Sequence, residues 1–273
     1  MDQKTKASLA ETARNIRLGI IHGVANAGCG HPGGSLSIAD IMAYLYTKEL
    51  NVRPEDPKWA DRDRFVLSKG HTAPALYATL AECGFFPKEE LVTLRQIDSR
   101  LQGHPDMKNI PGVDMTTGSL GLGISAACGM ALSGKVSGKS YRVYAVVGDG
   151  ESEEGQVWEA AMFAAHYKLS NLCVILDSNG LQIDGPVAQV MNPNPLDEKF
   201  KAFGFNVVVI NAHDFDEIEA AFAAARACTD RPTAIIAKSV KGKGVSFMEN
   251  QVGWHGKAPN ADEYKQAIAE LEA

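Results

Sequence analysis

Two side chains able to hold a metal-bound phosphate follow two apolar segments of the sequence. Asp149 stands in the Gly-Asp-Gly tripeptide 148–150, directly after the β-branched run 141–147, and Asn179 follows the apolar run 171–177. Neighbouring parallel strands end side by side, so the two side chains are expected to face one ligand. Two such oxygens and a backbone carbonyl would leave positions on Mg²⁺ for diphosphate oxygens and water. The Gly-Asp-Gly tripeptide alone is more often a simple turn between a strand and a helix. Asn179 at the end of a second apolar run reverses that preference and favours the metal site.

Histidines are the second group of residues that could do chemistry. Four of the seven stand beside a glycine in loops: His31, His71, His104 and His255. Taken singly, each is more often structural or on the surface. Loops carried by a rigid sheet are where function is usually placed. Several imidazoles around one site suit sugar chemistry, because they can donate to hydroxyl groups and move protons near neutral pH.

The elements that must position these residues follow an alternating pattern. A helix is predicted over 9–24 with Ser8 as its N-cap, and helical patterning resumes over 38–50 after a glycine-rich loop. Apolar strands then alternate with helices. This predicts an α/β fold: a doubly wound, mostly parallel sheet with helices on both faces. Its ligand is expected at the carboxyl ends of the strands. The predicted strands cover 64–70, 141–150, 171–180, 205–212 and 232–239, with helices at 73–82, 153–169 and 214–228.

Composition limits the class of protein. The 273 residues are 45% hydrophobic and carry a net charge of -6, which suits one large domain and argues against a nucleic-acid binder. The five cysteines are scattered and form no C-x-x-C pair, so a reducing cytoplasm is expected. No signal peptide or membrane span is indicated.

The stretch from Gly148 to Asn179 resembles the thiamine-diphosphate fingerprint, and the wider chain resembles the N-terminal half of transketolase. The resemblance runs in order along nearly the whole chain. The segments that carry it are GHPGGSLS (30–37), DRFVLSKGHTAPALY (63–77), LQGHPD (101–106), TTGSLGLG (116–123), GDGESEEGQVWEAA (148–161), SNGLQIDG (178–185), KGKG (241–244) and WHGKAPN (254–260).

This resemblance implies a cofactor and its ligands. The cofactor is thiamine diphosphate with Mg²⁺, for which Ca²⁺ or Mn²⁺ could substitute. Asp149, Asn179 and the carbonyl of Leu181 match the metal ligands. A cation beside a diphosphate is favourable, although for Lys241 alone a solvated loop charge is the commoner explanation. The residues that match the cofactor contacts are Gly150, Gly118, Ser119, Leu120, His71, Asn179, Lys241 and His255.

It also implies catalytic residues. His31, His104 and His255 match histidines of the substrate channel, and His255 matches one that assists proton movements. Glu154 matches an acid at the contact between two subunits. Acids near a helix N-terminus are also favourable in their own right, and for Glu151 and Glu153 that simpler interpretation holds. Trp158 and Met162, four residues apart, are interpreted as packing residues.

The sequence departs from the family pattern in two places. Ser178 replaces the first asparagine of the pair that closes the fingerprint, and only the second is the expected ligand. Gly33 and Gly34 replace larger or hydroxyl-bearing residues of many full-length transketolases, so any side-chain contact at Gly34 is lost.

We expect residues 1–273 to form a single diphosphate-binding domain. Thiamine enzymes need a second domain that holds the aminopyrimidine ring, and we expect it on a separate C-terminal transketolase subunit in an α2β2 assembly acting on sugar phosphates. An engineered truncation would look the same.

Other functions stay open. The chain could act on an unusual sugar phosphate, or belong to a 2-oxo acid dehydrogenase (as its α chain) or to a relative of deoxyxylulose-phosphate synthase. It could also be a non-catalytic subunit that kept the fold. The histidine motifs favour transketolase over the dehydrogenase.

Overall fold

A central sheet of five parallel strands organises the chain in a computed structural model that describes residues 1–273. The strands lie in the order β1-β2-β3-β7-β6, and all four pairings are parallel. The predicted α/β fold is therefore confirmed. A two-stranded antiparallel hairpin, β4 with β5, follows β3. The strands are β1 Arg64–Leu67, β2 Val143–Gly148, β3 Leu172–Ser178, β4 Leu181–Gln182, β5 Gly185–Pro186, β6 Asn206–Asn211 and β7 Thr233–Lys238.

Side chains alternate between the two faces of the sheet, as the period of a strand requires. On β3, Cys173 and Ile175 join one buried apolar cluster, while Leu172, Val174 and Leu176 join the other. Both faces are covered, so the strands are apolar throughout.

Helices cover both faces. Those packed in the larger cluster are α1 Gln3–Ala27, α2 Pro32–Leu36, α3 Ala39–Tyr44, α4 Ala73–Glu82, α9 Phe215–Ala227 and α10 Ala261–Glu272. Those packed in the smaller cluster are α5 Leu122–Val136, α6 Gly155–His166 and α8 Leu196–Ala202, and a short helix α7 spans Val187–Val190. No helix is long and apolar enough to cross a membrane.

The start of α1 differs from the sequence prediction. Asp2, not Ser8, is the N-cap, and its side chain accepts from the amide of Thr5. The apolar periodicity begins only at Leu9, the first buried residue of the helix, because the first turns lie in solvent. The helical pattern predicted over 38–50 is α3 followed by a π-helical turn, Leu45–Glu49.

The strand order places four loops together. Strands β1, β2, β3 and β7 are neighbours and parallel, so their carboxyl ends share one edge. The segments that leave those ends carry Lys69 and His71, Asp149, Asn179, and Lys241. Most of the candidate residues are thus brought together by the sheet itself.

Candidate functional site

A cavity of about 610 Å³ lies at the carboxyl edge of the sheet. Its wall contains most of the residues singled out in the sequence. They are His31, His71, Gly118, Leu120, Asp149, Gly150, Glu154, Asn179, Leu181, Lys241 and His255.

Two of the predicted site residues are not in this wall. Ser119 is exposed beyond it. His104 packs against the loop at Gly118, where its Cδ2 would be 3.3 Å from a Cβ at that glycine. Its role in the substrate channel remains a prediction.

Asp149 and Asn179 follow the neighbouring ends of β2 and β3 and line the same cavity. The carboxylate of Asp149 accepts from the amide of Gly150 at 2.9 Å and from that of Gly180 at 2.6 Å. Burial, and then the negative charge of Asp177, raise the pKa of Asp149 to about 6. A buried carboxylate held beside another acid is a position where a divalent cation relieves an electrostatic cost.

The amide of Asn179 has a fixed orientation. Its Nδ2 donates to Asp177 at 2.9 Å, and its Oδ1 accepts from the amide of Leu181 at 3.1 Å. The oxygen thus lies on the side of Leu181, whose carbonyl is the third expected ligand. The set of carboxylate, amide and carbonyl oxygens fits Mg²⁺. The structure contains no cluster of three His, Cys, Asp or Glu side chains suited to a metal.

Asp177 is a buried hub of hydrogen bonds that no sequence motif predicts. Lys69 donates to it at 2.5 Å and Ser37 at 2.7 Å, and Ser239 donates to its other oxygen. Burial alone would raise the pKa of Asp177, but the charge of Lys69 and these hydrogen bonds hold it below its ordinary value. The hub therefore stays ionised and orients Asn179 from behind, as outer-shell groups do at metal sites.

Glu151 is a second residue whose place in the site does not follow from the sequence. Its position predicts an acid near a helix N-terminus, but the side chain is buried. Its carboxylate accepts from Ser68 Oγ at 2.5 Å, from the amide of Gly121 at 2.9 Å and from that of Gly148 at 3.0 Å. It joins three loops of the site at one point. The only hint in the sequence is its position two residues after Asp149. A solvated acid and a buried acid look alike at that position.

Three histidines form a cluster on the opposite wall. The ring centroids of His31, His71 and His255 lie 5.2–5.4 Å apart in all three pairs. Burial is the largest cause that lowers each pKa, to about 4 for His31, 2 for His71 and 3 for His255. Nearby cations, Lys241 among them, add to the effect. The imidazoles are therefore neutral near pH 7, and each has one nitrogen that can accept a hydrogen bond; in His255 that nitrogen already accepts from Lys241.

One of these nitrogens lacks a partner. The Nδ1 atom of His31 is buried and makes no hydrogen bond within the chain. Buried polar groups are nearly always paired, so an orphan at a cavity wall indicates a ligand group. This observation, together with the oxygen set at Asp149, Asn179 and Leu181, fits a polar cofactor with a metal.

Lys241 connects the two walls. Its ammonium donates to the carbonyl of Leu181 at 3.0 Å and lies 2.9 Å from Nδ1 of His255. Burial, and then the charge of Lys69, lower the pKa of Lys241 to about 8. Because Nδ1 of His255 accepts from the ammonium, the proton of that imidazole is on Nε2.

The loops approach closely only because glycine stands at some positions. A Cβ at Gly33 would lie 2.8 Å from the carbonyl oxygen of Trp254. One at Gly34 would lie 3.0 Å from Thr72 Cγ2. The departure from the family pattern at this pair therefore has a packing reason in this chain.

The last residues to place are Glu154 and the two predicted packing residues of α6. Glu154 is exposed, precedes α6 and lines the cavity. Trp158 packs against Phe200 and Phe203, as predicted. Met162 is 61% exposed, so its interpretation as a packing residue is wrong for the chain alone.

The fold and the site define the class of protein. It is an α/β domain whose site suits a diphosphate with its metal ion. Residues 8–272 match the family model described as "Transketolase, thiamine diphosphate binding domain". The chain belongs to the transketolase family.

Two similar proteins are themselves named as parts of larger enzymes. The chain is 44% identical to the 6-deoxy-6-sulfo-D-fructose transketolase subunit SqwG of Clostridium sp. (strain MSTE9), over 97% of this chain and 96% of that protein. It is 40% identical to one of the subunits of the apulose-4-phosphate transketolase of Phocaeicola vulgatus, over 91% of this chain and 88% of that one.

Other relatives are longer. Human transketolase is 44% identical over 99% of this chain, which spans 43% of the human protein. The crystal structure of transketolase from Campylobacter jejuni superposes with a TM-score of 0.91 at 34% identity, covering 100% of this chain and 43% of that one.

Proposed function

We propose that this chain is the thiamine diphosphate- and Mg²⁺-binding subunit of a two-chain transketolase, which transfers a two-carbon ketol unit between ketose and aldose phosphates. The observation that carries the proposal is the joint placement of oxygen donors, a buried cation and neutral histidines around one cavity. Bound thiamine diphosphate would supply the electron sink for cleavage of the carbon–carbon bond.

The roles of the residues follow from their chemistry. Asp149, Asn179 and the Leu181 carbonyl would hold the metal, and Lys241 would attract the diphosphate. His31 and His255 are neutral and can exchange protons with substrate hydroxyls. Gly118, Ser119, Leu120, Gly150 and His71 remain proposed cofactor contacts, and His104 and Glu154 remain proposed catalytic residues.

The outward surface of α5 supports a partner subunit. This helix carries no charged residue before Lys135, although Leu122 is 53% and Val136 79% exposed. A Cβ added at Gly129 would have no atom within 4 Å. A helix that is apolar all round is normally buried. We infer that a second polypeptide, the one with the pyrimidine domain, covers it.

This surface continues into the cavity and across α6. Leu120 and Ile183 line the cavity and are themselves exposed, and so are Met162 and Phe163 of α6 and Tyr167, which follows this helix. Exposed apolar patches of this kind mark interaction sites. A partner seated here would lie against Glu154 and close the cavity from outside. We propose that residues 1–273 form one domain and that two copies of each chain make up the enzyme. We also propose that this enzyme acts in the cytoplasm, in the pentose phosphate pathway.

The test is reconstitution. The chain alone is expected to be nearly inactive. Activity should appear when a polypeptide with a transketolase pyrimidine domain, thiamine diphosphate and Mg²⁺ are added. Xylulose 5-phosphate, fructose 6-phosphate and sedoheptulose 7-phosphate are the donors to try, because related structures hold them. Absence of activity on every ketose donor would contradict the proposal, and turnover of pyruvate would favour a 2-oxo acid enzyme.

A specialised substrate is the second candidate. The two relatives that this chain matches over most of their length are named for 6-deoxy-6-sulfo-D-fructose and apulose 4-phosphate. The same reconstituted complex should be assayed on both. The kcat/KM on each should be compared with that on the ordinary ketose phosphates. A value more than about tenfold higher, a difference of about 1.4 kcal/mol in transition-state binding, would identify the specialised enzyme.

A further inference from the structure

A buried polar network lies outside the cavity, between α1, α3 and the loop after β6. Arg17 donates to both oxygens of Asp40, at 3.1 and 2.6 Å. The Nδ1 atom of His213 lies 2.7 Å from the same carboxylate. Arg17 is 9% and Asp40 6% exposed. Neither the cavity wall nor the proposed chemistry uses these three residues.

The network holds the backbone of the Lys241 loop at two points. The amide of Val240 donates to Nε2 of His213 at 2.9 Å. The Nε of Arg17 donates to the carbonyl of Lys243 at 3.0 Å. One contact precedes Lys241 by one residue and the other follows it by two. Since Nε2 accepts a hydrogen bond from the Val240 amide, Nδ1 of His213 carries the ring proton and donates to Asp40.

The loop needs such support. Gly242 and Gly244 have φ angles of 80° and 94°, in the region that glycine adopts freely and other residues avoid. A loop with two such glycines is not fixed by its own backbone preferences. A Cβ at Gly244 would lie 3.0 Å from Arg17 Cδ, so the arginine also packs directly against the loop.

We propose that Arg17, Asp40 and His213 are positioning residues that hold the loop so that the Lys241 ammonium is fixed between Leu181 and His255. This inference rests on the proposed function, in which Lys241 attracts the diphosphate. The hydrogen bonds of these three side chains reach the cavity only through the loop. Its loss is therefore expected to weaken cofactor binding and to leave turnover at saturating cofactor nearly unchanged.

Three variants separate this role from a merely structural one. His213→Ala removes the acceptor of the Val240 amide. His213→Gln keeps an acceptor at the end of the side chain and is the conservative rescue. Tyr144→Phe is the matched control, because it removes a partly buried hydrogen bond to Glu49, at 2.7 Å, near the opposite end of the sheet.

The first measurement is hydrogen–deuterium exchange on the full chain. In His213→Ala, amides of the segment 239–244 should exchange about tenfold faster, on the order expected for the loss of one buried hydrogen bond. His213→Gln should restore protection, and Tyr144→Phe should leave this segment unchanged. Unchanged protection in His213→Ala would overturn the inference.

The second measurement is titration of thiamine diphosphate with Mg²⁺ into the reconstituted complex. The dissociation constant should rise about tenfold in His213→Ala, with kcat at saturating cofactor within about twofold of the parent. If the parent binds the cofactor and His213→Ala binds it equally well, the inference fails and the proposed function stands. If the parent itself does not bind, the proposed function fails and the inference fails with it.

Discussion

The ammonium of Lys241 donates a hydrogen bond of 3.0 Å to the carbonyl oxygen of Leu181, the backbone atom expected to bind the metal. One side chain therefore touches a proposed metal ligand and also, through His255, the histidine cluster. Loss of this side chain is therefore expected to affect binding of the metal alone and binding of the cofactor in opposite directions.

Replacing Lys241 by methionine should weaken binding of thiamine diphosphate by about ten- to a hundredfold, because a charge-assisted hydrogen bond contributes about 1.5–3 kcal/mol. Binding of Mn²⁺ alone should be unchanged or tighter, since a neighbouring cation is removed. Calorimetry and the paramagnetic signal of free Mn²⁺ measure the two. Lys243→Met, on the exposed side of the same loop, is the control. Unaltered cofactor affinity in Lys241→Met would contradict the role.

The ion pair between Lys69 and Asp177 makes a prediction about stability. Both side chains are at most 2% exposed, so Lys69→Met leaves a buried carboxylate without its cation. Removing one partner of such a pair costs about 3–5 kcal/mol of unfolding free energy. Urea denaturation measures this. Lys139→Met breaks an exposed pair with Asp61 and should cost at most about 1 kcal/mol. Equal losses would show that burial of the first pair does not matter.

The state of His31 predicts a pH dependence. Its pKa falls from 6.5 to about 4, chiefly through burial, so the folded chain binds this proton less readily than the unfolded chain. Its contribution to stability is fully present above pH 6.5 and is lost as the pH falls through about 4. The ring resonances of His31 in NMR spectra should stay those of the neutral form at about pH 5.5. A midpoint near 6.5 would refute the burial argument.

The α5 surface predicts a variant that damages assembly and not folding. Gly129 is exposed and its Cβ position is open, so Gly129→Lys should fold and gain about 0.5–1 kcal/mol of helix stability. A charge at the centre of the proposed interface should nevertheless prevent association with the partner. Analytical ultracentrifugation of the mixture measures it. Val92→Lys, on an exposed residue of another turn, is the control and should associate normally. Normal association of Gly129→Lys would place the interface elsewhere.

The fold could be predicted because its signal is local. Apolar strands such as 171–177 alternate with amphipathic helices, and parallel pairing of neighbouring strands then brings Asp149 and Asn179 together. The N-cap at Asp2 was missed for the converse reason. The first turns of α1 are solvent-exposed and have no periodic apolar residues. The apolar pattern therefore begins at Leu9, which makes Ser8 the predicted N-cap.

The supporting residues of the site could not be predicted, because their partners are distant in sequence. Lys69 and Asp177 are 108 positions apart, and no local pattern distinguishes a buried lysine from a solvated one. The burial of Glu151 cannot be predicted for the same reason, since its partner Ser68 belongs to another loop. The exposure of Met162 depends on a surface that a second chain is proposed to cover.

The central claim is that Asp149 holds the metal through which the cofactor is bound. Its most direct test is calorimetric titration of thiamine diphosphate into the reconstituted complex, with and without Mg²⁺, well above pH 6 where the carboxylate is ionised. The parent should bind only with Mg²⁺. Asp149→Ala should show no binding while its unfolding transition is retained, and Asp184→Ala, which removes another carboxylate of the cavity wall, should bind normally. Normal Mg²⁺-dependent affinity in Asp149→Ala would contradict the account.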